Sequence, residues 1–182
     1  MTAIKTGLQK FNAYITNPKA DDYLESVLGS RKEQFVTNIV SVVSNSHLLQ
    51  DCQPNTLMYA AIKATSLGLS LDSNLGLAYI VPYNNTKKGV KEAQLQIGYK
   101  GFIQLAIRSA QFQTINYSEV KEGEIISENR LSGEIIFEWI QDRAKREAAK
   151  TIGYVAYFKL NNGFEKMSFI TSEEAKVHGK KY

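Results

Sequence analysis

The hydrophobic periodicity of the chain changes at Gly68, and this change restricts the possible folds more than any other feature. From residue 18 to residue 70 the apolar residues recur at helical spacing, whereas short β-branched and aromatic runs separated by turn formers follow Gly68. Helices are therefore expected in the N-terminal third and strands in most of the remainder. No linker rich in Pro, Gly or Ser divides the 182 residues, so the sequence predicts one α+β domain.

Three helices are predicted in the N-terminal third from their start and stop signals. The segments PKADDYLESVLG and QPNTLMYAAIKATSLG each have a proline near the start and a glycine at the end. Between them, Ser30 and Glu33 have the spacing of a capping box that would open the helix EQFVTNIVSVVSNS. Residues 1–70 contain six cations and five acids and several apolar helix faces, so we expect this region to serve scaffold or subunit packing.

The remainder of the chain predicts a β-hairpin, one helix and a small antiparallel sheet. The runs GLAYIVPY and EAQLQIGY flank NNTKKGVK, which indicates a hairpin with a basic tip. After the helix IGYKGFIQLAIRSAQ, the predicted strands are FQTINYSEVKEGE, EIIFEWI, TIGYVAYFKL and FEKMSFI, with NNG as a hairpin turn between the last two. The segment DRAKREAAK, residues 142–150, is expected to form either a mobile loop or a short helix.

A last helix is predicted to begin at TSEE, where Thr171 and Glu174 have capping-box spacing. The chain ends soon afterwards at HGKKY. We therefore expect either a truncated chain or a protein without a further C-terminal segment.

Composition and motif content argue against several classes of function. Apolar residues never run the roughly 18 positions that a membrane-spanning helix needs, so no membrane association is expected. The single cysteine, Cys52, forms no internal disulfide, which is compatible with a reducing cytoplasm. No GxxxxGK[ST] or GxGxxG motif occurs, and His47 and His178 lie far apart in the sequence, with no cysteine or acidic residue adjacent to either. We expect no cofactor, no metal and no histidine-based catalysis.

Positive charge is concentrated in one part of the chain. Residues 83–116 contain five cations and one acid, a local net charge of +4 that equals the net charge of the whole chain. Four tyrosines flank or interrupt this window: Tyr79, Tyr83, Tyr99 and Tyr117. Cations beside aromatic rings are typical of a nucleic-acid groove, where the cations meet phosphates and the rings meet bases. For the tip lysines Lys87, Lys88 and Lys91, a solvated basic loop is an equally good interpretation.

The helix at residues 97–111 has one polar stripe. On a helical wheel Lys100, Gln104, Arg108 and Gln111 lie at about 0°, 40°, 80° and 20°, and most of the remaining circle is apolar. We expect the apolar arc to be buried and the stripe to form a groove wall. A surface helix with an ordinary polar face is the alternative.

One pattern suggests catalysis. Glu119 and Lys121 share one face of a predicted strand, which is the E-x-K arrangement of magnesium-dependent nucleases. Such a site needs a further acid to hold the metal, and Glu92 and Asp72 are not convincingly placed. Lys121 is better interpreted as another groove cation.

Four ordered segments resemble the RecT/Bet family of phage single-strand annealing proteins. They are LGL at 67–69, LAYIVPY at 77–83, LQIGYKGFIQLA at 95–106 and VKEGE at 120–124. The resemblance implies a protein that is not an enzyme and that anneals complementary DNA strands without ATP, as rings or helical filaments, beside a partner exonuclease. It also implies single-stranded DNA and the annealed duplex intermediate as ligands, and the cytoplasm of a bacterial host cell as the location.

The sequence departs from the family pattern after LA. The family often has two arginines followed by Ser-Gly, whereas this chain has LAIRSA, with Ile107 and Ala110 at two of those positions. Only Arg108 of the arginine pair is present, so the helix has one cation fewer. The family's C-terminal region, associated with binding the host single-strand-binding protein, is expected to be missing.

Together these observations predict a single DNA-annealing domain over residues 1–182, with a helical assembly region at 1–70 and a DNA-binding α+β core at 71–182. The core would contain the basic-tipped hairpin, the groove helix and the small antiparallel sheet. Deleting residues 1–30 should reduce assembly more than it reduces the first contact with DNA. The alternatives are the nuclease and a structural filament protein. The predicted nucleic-acid-binding residues are Tyr83, Lys87, Lys88, Lys91, Tyr99, Lys100, Gln104, Arg108, Gln111, Lys121, Arg143 and Arg146.

Overall fold

The computed structural model describes residues 6–180, and the chain forms two compact units that meet in sequence between Leu105 and Ala106. The first unit is mainly helical, and the second is built on a small antiparallel sheet. This arrangement confirms the predicted α+β class with helices at the N-terminal end. Two predicted segments extend outside the described residues, namely the first five residues of the assembly region and the last two of HGKKY.

Within residues 6–105, the first unit contains five α-helices, one 3₁₀ turn and one β-hairpin, followed by the start of a sixth helix. The elements are α1 (Gly7–Ile15), α2 (Pro18–Leu28), a 3₁₀ turn (Gly29–Arg31), α3 (Lys32–Ser44), α4 (His47–Gln50), α5 (Pro54–Ser66), β1 (Ala78–Asn85), β2 (Val90–Ile97) and α6 (Tyr99–Ser109). The helix α6 continues past the division between the units.

Local signals account for most of these helix ends. Pro18 and Pro54 occupy first helical positions, where the missing N–H group costs no hydrogen bond. Gly29 ends α2 with a φ of +52°, a left-handed conformation that favours glycine. The helix α1 was not predicted, although Thr6 and Gln9 form a capping box at its start and Phe11 and Ile15 are buried on one face.

The capping box predicted at Ser30 and Glu33 is wrong. The 3₁₀ turn occupies residues 29–31, and α3 begins at Lys32 after Arg31, which has a helical conformation and makes no side-chain capping bond. A capping side chain needs an extended backbone at its own position. The tight turn between α2 and α3 does not provide one.

The hairpin packs against the helices of the first unit. Ile80 of β1 and Ala93 of β2 belong to the same buried cluster as residues of α1, α2, α3 and α5. Backbone groups also fasten β2 to the start of α5, because Gln53 N donates to Lys91 O over 2.9 Å and Ala93 N donates to Thr56 Oγ1 over 2.8 Å. The hairpin and the helical region therefore share one core, although the predicted division of function at residue 70 stays a prediction.

Up to residue 180, where the described part of the chain ends, the second unit contains five strands and two helices after the end of α6. They are β3 (Phe112–Lys121), β4 (Ile125–Asn129), β5 (Glu134–Phe137), α7 (Arg143–Ala148), β6 (Thr151–Leu160), β7 (Glu165–Thr171) and α8 (Ser172–Gly179). The antiparallel sheet has the order β3–β6–β7, and β4 pairs with β5 as a separate antiparallel pair. The strand β4 was not predicted.

The structure also answers the secondary-structure predictions for α7, α8 and the β6–β7 turn. Asp142 caps α7, so DRAKREAAK contains a short helix and not a loop throughout. Thr171 and Glu174 form the predicted capping box of α8. Gly163 has a φ of +87° in the turn between β6 and β7, where glycine is favoured. None of the helices within residues 6–180 is long and apolar enough to cross a membrane.

Candidate nucleic-acid interface

The helix α6 is held close to the hairpin by two glycines. Gly98 N donates to Leu77 O over 2.9 Å, immediately before α6 begins. A Cβ atom on Gly101 would collide with the carbonyl oxygen of Leu77 and would lie 2.9 Å from Cγ2 of Ile97. A Cβ atom on Gly98 would likewise collide with the carbonyl oxygen of Gly76, so the segment GYKG needs glycine at both ends.

The two predicted cations of α6 are exposed. Lys100 and Arg108 are eight residues apart on the same helix, which corresponds to about 12 Å along the axis. Gln111 is also exposed and lies just beyond the helix, where its carbonyl oxygen accepts a 2.8 Å hydrogen bond from Asn161 N.

The predicted orientation of α6 is wrong. Phe102 is 60% exposed and Ile107 is 69% exposed, whereas Gly101 is buried. Gln104 is partly buried, and its Oε1 atom has no hydrogen-bond partner among the described residues. The hairpin packs against the glycine side of the helix because only that side permits close approach, and this leaves the bulky apolar side chains outside.

One departure from the family pattern, Ala110, lies at the end of α6. Ala110 has a φ of +53°, the only positive φ of a non-glycine residue in the described part of the chain. This left-handed conformation favours glycine, which is the residue that the family often has there. Asn161 Nδ2 donates to Ala110 O over 2.6 Å and holds this turn in place.

The lysines at the hairpin tip differ in their surroundings. Lys88 pairs with Glu92 at 3.0 Å, and Lys91 pairs with Asp51 at 2.8 Å. The hydrogen bond from Lys91 holds the pKa of Asp51 below its usual range, and the same bond raises the pKa of Lys91. Lys87 is exposed, and it has no ion pair within residues 6–180. The positive charge at the tip is therefore partly neutralised. The two tyrosines predicted as contacts, Tyr83 and Tyr99, are both exposed.

Lys121 lies in an ion pair. Glu119 and Lys121 share one face of β3 as predicted, and their side chains are 2.9 Å apart. The Lys121 ammonium also donates to Thr151 Oγ1 over 2.7 Å and is only 12% exposed. The hydrogen bond from Lys121 lowers the pKa of the Glu119 carboxyl. The role of Lys121 as a groove cation stays a prediction.

The nuclease alternative receives no support from the geometry around Glu119. Its carboxylate already accepts hydrogen bonds from Lys121 and Thr151. In the described part of the chain, no group of three His, Cys, Asp or Glu residues could hold a metal ion. A magnesium site at this position would need both the ion pair to open and further acids to approach.

Arg143 and Arg146 have different environments on α7. Arg143 is exposed and pairs with Glu147 one turn away at 2.8 Å. Arg146 Nε donates to the buried Glu124 carboxylate over 2.6 Å, and Nη2 donates to Glu119 O over 2.7 Å. The guanidinium also lies 5.5 Å from the centre of the Trp139 ring. These contacts give Arg146 a structural role, and its predicted contact with nucleic acid stays untested.

Glu124 is the important residue that sequence reasoning missed. Its side chain is fully buried and accepts hydrogen bonds from Arg146, from Lys121 N at 2.7 Å and from Ile140 N at 3.2 Å. Burial would raise the pKa of Glu124, but these donors outweigh it and hold the pKa below its usual range. The signal available in the sequence was the segment VKEGE itself, in which Gly123 makes the turn that points Glu124 inward.

The sequence of this chain is similar to the sequences of known proteins. The profile of the RecT family matches residues 33–182. This chain belongs to the RecT family.

Two curated proteins are similar to it. One is the uncharacterized protein YqaK of Bacillus subtilis (strain 168), with 40% identity over 168 residues, which is 92% of this chain and 56% of YqaK. The other is protein RecT of Escherichia coli (strain K12), with 31% identity over 119 residues, which is 63% of this chain and 44% of that protein. The chain spans about half the length of these relatives.

Proposed function

We propose that this protein binds single-stranded DNA and anneals complementary strands without ATP during phage recombination. The observation that carries this proposal is the match of the RecT family profile over residues 33–182. The concentration of charge at residues 83–116 and the exposed Lys100 and Arg108 support it. The proposal includes action as an oligomer or filament in the bacterial cytoplasm, the annealed duplex as an intermediate and an exonuclease as a partner.

Annealing requires a particular division of contacts. The protein must neutralise the backbone of one strand and leave the base edges free for the second strand. Lys100 and Arg108 suit this task because contacts to phosphates position a strand without reading its sequence. Lys87 at the exposed hairpin tip suits attraction of the incoming strand, since its charge is not held by an acid within residues 6–180.

An annealing assay tests the proposed function directly. Two complementary labelled oligonucleotides are mixed with the protein in the absence of ATP, and pairing is followed by energy transfer between the labels. We expect faster pairing than without protein, and tighter binding when the strands are added in succession than when a preformed duplex is added. Equal affinity for duplex and single strands, or strand cleavage on addition of magnesium, would contradict the proposal.

The contribution of Lys100 and Arg108 to DNA binding can be measured from the salt dependence of the affinity for single-stranded DNA. Lys100→Ala and Arg108→Ala should each weaken binding to any base sequence and lower the slope of log K against log salt by about 0.7, the counterion release per single-strand phosphate contact. Gln104→Ala should leave the slope unchanged because an amide releases no counterion. Lys19→Ala, which removes an exposed lysine of α2, is the matched control. Unchanged slopes in both cation variants would show that this side of α6 is only a solvated face.

Assembly is proposed to use exposed apolar surface of the first unit. Deleting residues 1–30 cannot test this, because Phe11, Ile15 and Leu24 belong to the core and their loss would unfold the unit. Phe102→Ser is a sharper variant, since Phe102 is exposed on α6. We expect it to reduce the oligomer size measured by light scattering, whereas Leu131→Ser, at an exposed apolar position of the second unit, should not. An oligomer of unchanged size in Phe102→Ser would exclude this surface.

A further inference from the structure

One face of the β3–β6–β7 sheet carries aromatic side chains. The strand register places Ile115, Tyr117 and Glu119 of β3 opposite Phe158, Ala156 and Tyr154 of β6. The same β6 residues pair with Lys166, Ser168 and Ile170 of β7. Because side chains alternate between the two faces of a strand, these nine residues share one face, called the open face below.

The open face is exposed and the opposite face is covered. Tyr117 is 76% exposed and Tyr154 is 43% exposed, and Ile115 and Ile170 are exposed as well. On the other face, Val120 and Val155 are buried. An antiparallel sheet with one covered face normally carries polar residues on the other. The open face of this sheet instead presents rings and branched apolar side chains to solvent.

Two kinds of ring occupy the open face. Phe158 packs edge-on against Phe112 at 5.7 Å and lies 6.0 Å from Phe164, so these phenylalanines pack against one another. Tyr117 and Tyr154 have no ring partner within residues 6–180. They are diagonal neighbours, since Tyr154 pairs with Glu119 two residues after Tyr117, and such positions are about 7–8 Å apart. Two rings at this separation are available to flat ligands.

The charges around the tyrosines suit a polyanion. The acid of the open face, Glu119, is neutralised by Lys121. Lys166 is exposed, and it has no ion pair among the described residues. Glu173 and Glu174 line a cleft with Ser168 and Ile170 at the β7 side, so a phosphate backbone would be repelled there. The favoured path therefore crosses β3 and β6 and reaches β7 only at Lys166, which lies at the end of β7 away from Ile170.

The open face adjoins the end of α6 within the second unit. Asn161, in the turn between β6 and β7, bonds to Ala110 O at 2.6 Å and to Gln111 O at 2.8 Å. Arg108 lies two residues before Ala110. A strand bound at the C-terminal end of α6 can therefore continue onto the same sheet.

We propose that the open face is a base-stacking platform, on which Tyr117 and Tyr154 stack against bases of the single strand while Lys166 meets a phosphate. Stacking of this kind tolerates any sequence because every base has a π-face. It also leaves the hydrogen-bonding edges of the bases free, which is what pairing with a second strand requires. This inference rests on the proposed function and adds the group of residues that would hold the bases.

Binding measurements with two oligonucleotides test the platform. Tyr117→Ala and Tyr154→Ala are compared with Tyr117→Phe and Tyr154→Phe, which keep a ring and remove only the hydroxyl. The ligands are an oligothymidine and an abasic oligonucleotide of equal length and charge. We expect each alanine variant to bind oligothymidine about 5- to 150-fold more weakly, with an unchanged salt slope and near wild-type affinity for the abasic strand. The phenylalanine variants should bind like the wild type.

The possible outcomes separate this inference from the proposed function. If the wild type binds and anneals while the alanine variants bind equally well, the platform is refuted and the function stands. Equal losses on both oligonucleotides, or equal losses in the phenylalanine variants, also refute stacking. A smaller oligomer with unchanged DNA affinity would assign the open face to contact with a second copy. If the wild type binds no single strand at all, both proposals fail.

Discussion

Glu124→Ala is expected to lower the free energy of unfolding by about 3 kcal/mol, the lower end of the cost of breaking a buried ion pair, because Glu124 is fully buried whereas Arg146 is 29% exposed. The variant would leave the Arg146 guanidinium without its carboxylate. It would also remove the acceptor of the Lys121 and Ile140 N–H groups, which connect the end of β3 to the segment before α7. The second unit depends on this carboxylate because its buried apolar core is small.

The single tryptophan provides the measurement. Trp139 stacks on Phe137 at 4.9 Å and lies beside Arg146, so its fluorescence reports on the surroundings of Glu124 during urea denaturation. Glu119→Ala is the matched control, since this exposed carboxylate also pairs with a cation and its loss should have a much smaller effect. A midpoint for Glu124→Ala equal to that of the control would show that the buried pair is not important for stability.

The lowered pKa of Glu124 makes the stability of the folded protein depend on pH. Because its pKa is lowered in the folded protein from 4.5, Glu124 contributes stability that is fully present above pH 4.5 and is lost as the pH falls through the folded pKa. The stability difference between the wild type and Glu124→Gln should therefore shrink on acidification below pH 4.5. A difference that stays constant or grows would contradict a lowered pKa.

Gly101→Ala is expected to lower the free energy of unfolding by about 1–3 kcal/mol through overpacking, although alanine is the better helix former by about 1 kcal/mol. The added methyl group would meet the carbonyl oxygen of Leu77 and the Ile97 side chain. Relief of this collision requires α6 to move away from the hairpin, and Lys100 would move with it. Affinity for single-stranded DNA should therefore fall together with stability.

Thermal unfolding followed by far-UV circular dichroism measures this effect. Gly179→Ala is the control, because a Cβ atom at that helical glycine would meet nothing within 4 Å. An unfolding temperature of Gly101→Ala equal to that of the wild type would contradict the close contact between α6 and the hairpin at Gly101.

Much of the fold could be predicted from the sequence because the relevant interactions are local. Proline at a first helical position and glycine after the last turn mark α2 and α5 through the conformations that these two residues allow. Alternating apolar residues on either side of a basic turn predicted β1 and β2, and the NNG turn predicted the pairing of β6 with β7. The helix α1 was missed even though its Thr6–Gln9 capping box is also local.

The tertiary structure alone decided which side of each element is covered. A helical wheel divides α6 into a polar and an apolar arc, but only the close approach permitted by Gly101 turned Phe102 and Ile107 outward. Likewise, alternation along β3 separates Tyr117 from Val120, and packing determined that Val120 is the buried one. The ion pairs of Lys91 with Asp51 and of Arg146 with Glu124 join residues 40 and 22 positions apart. No periodicity extends over such separations, so the paired cations and the buried carboxylate became identifiable only when the chain was folded.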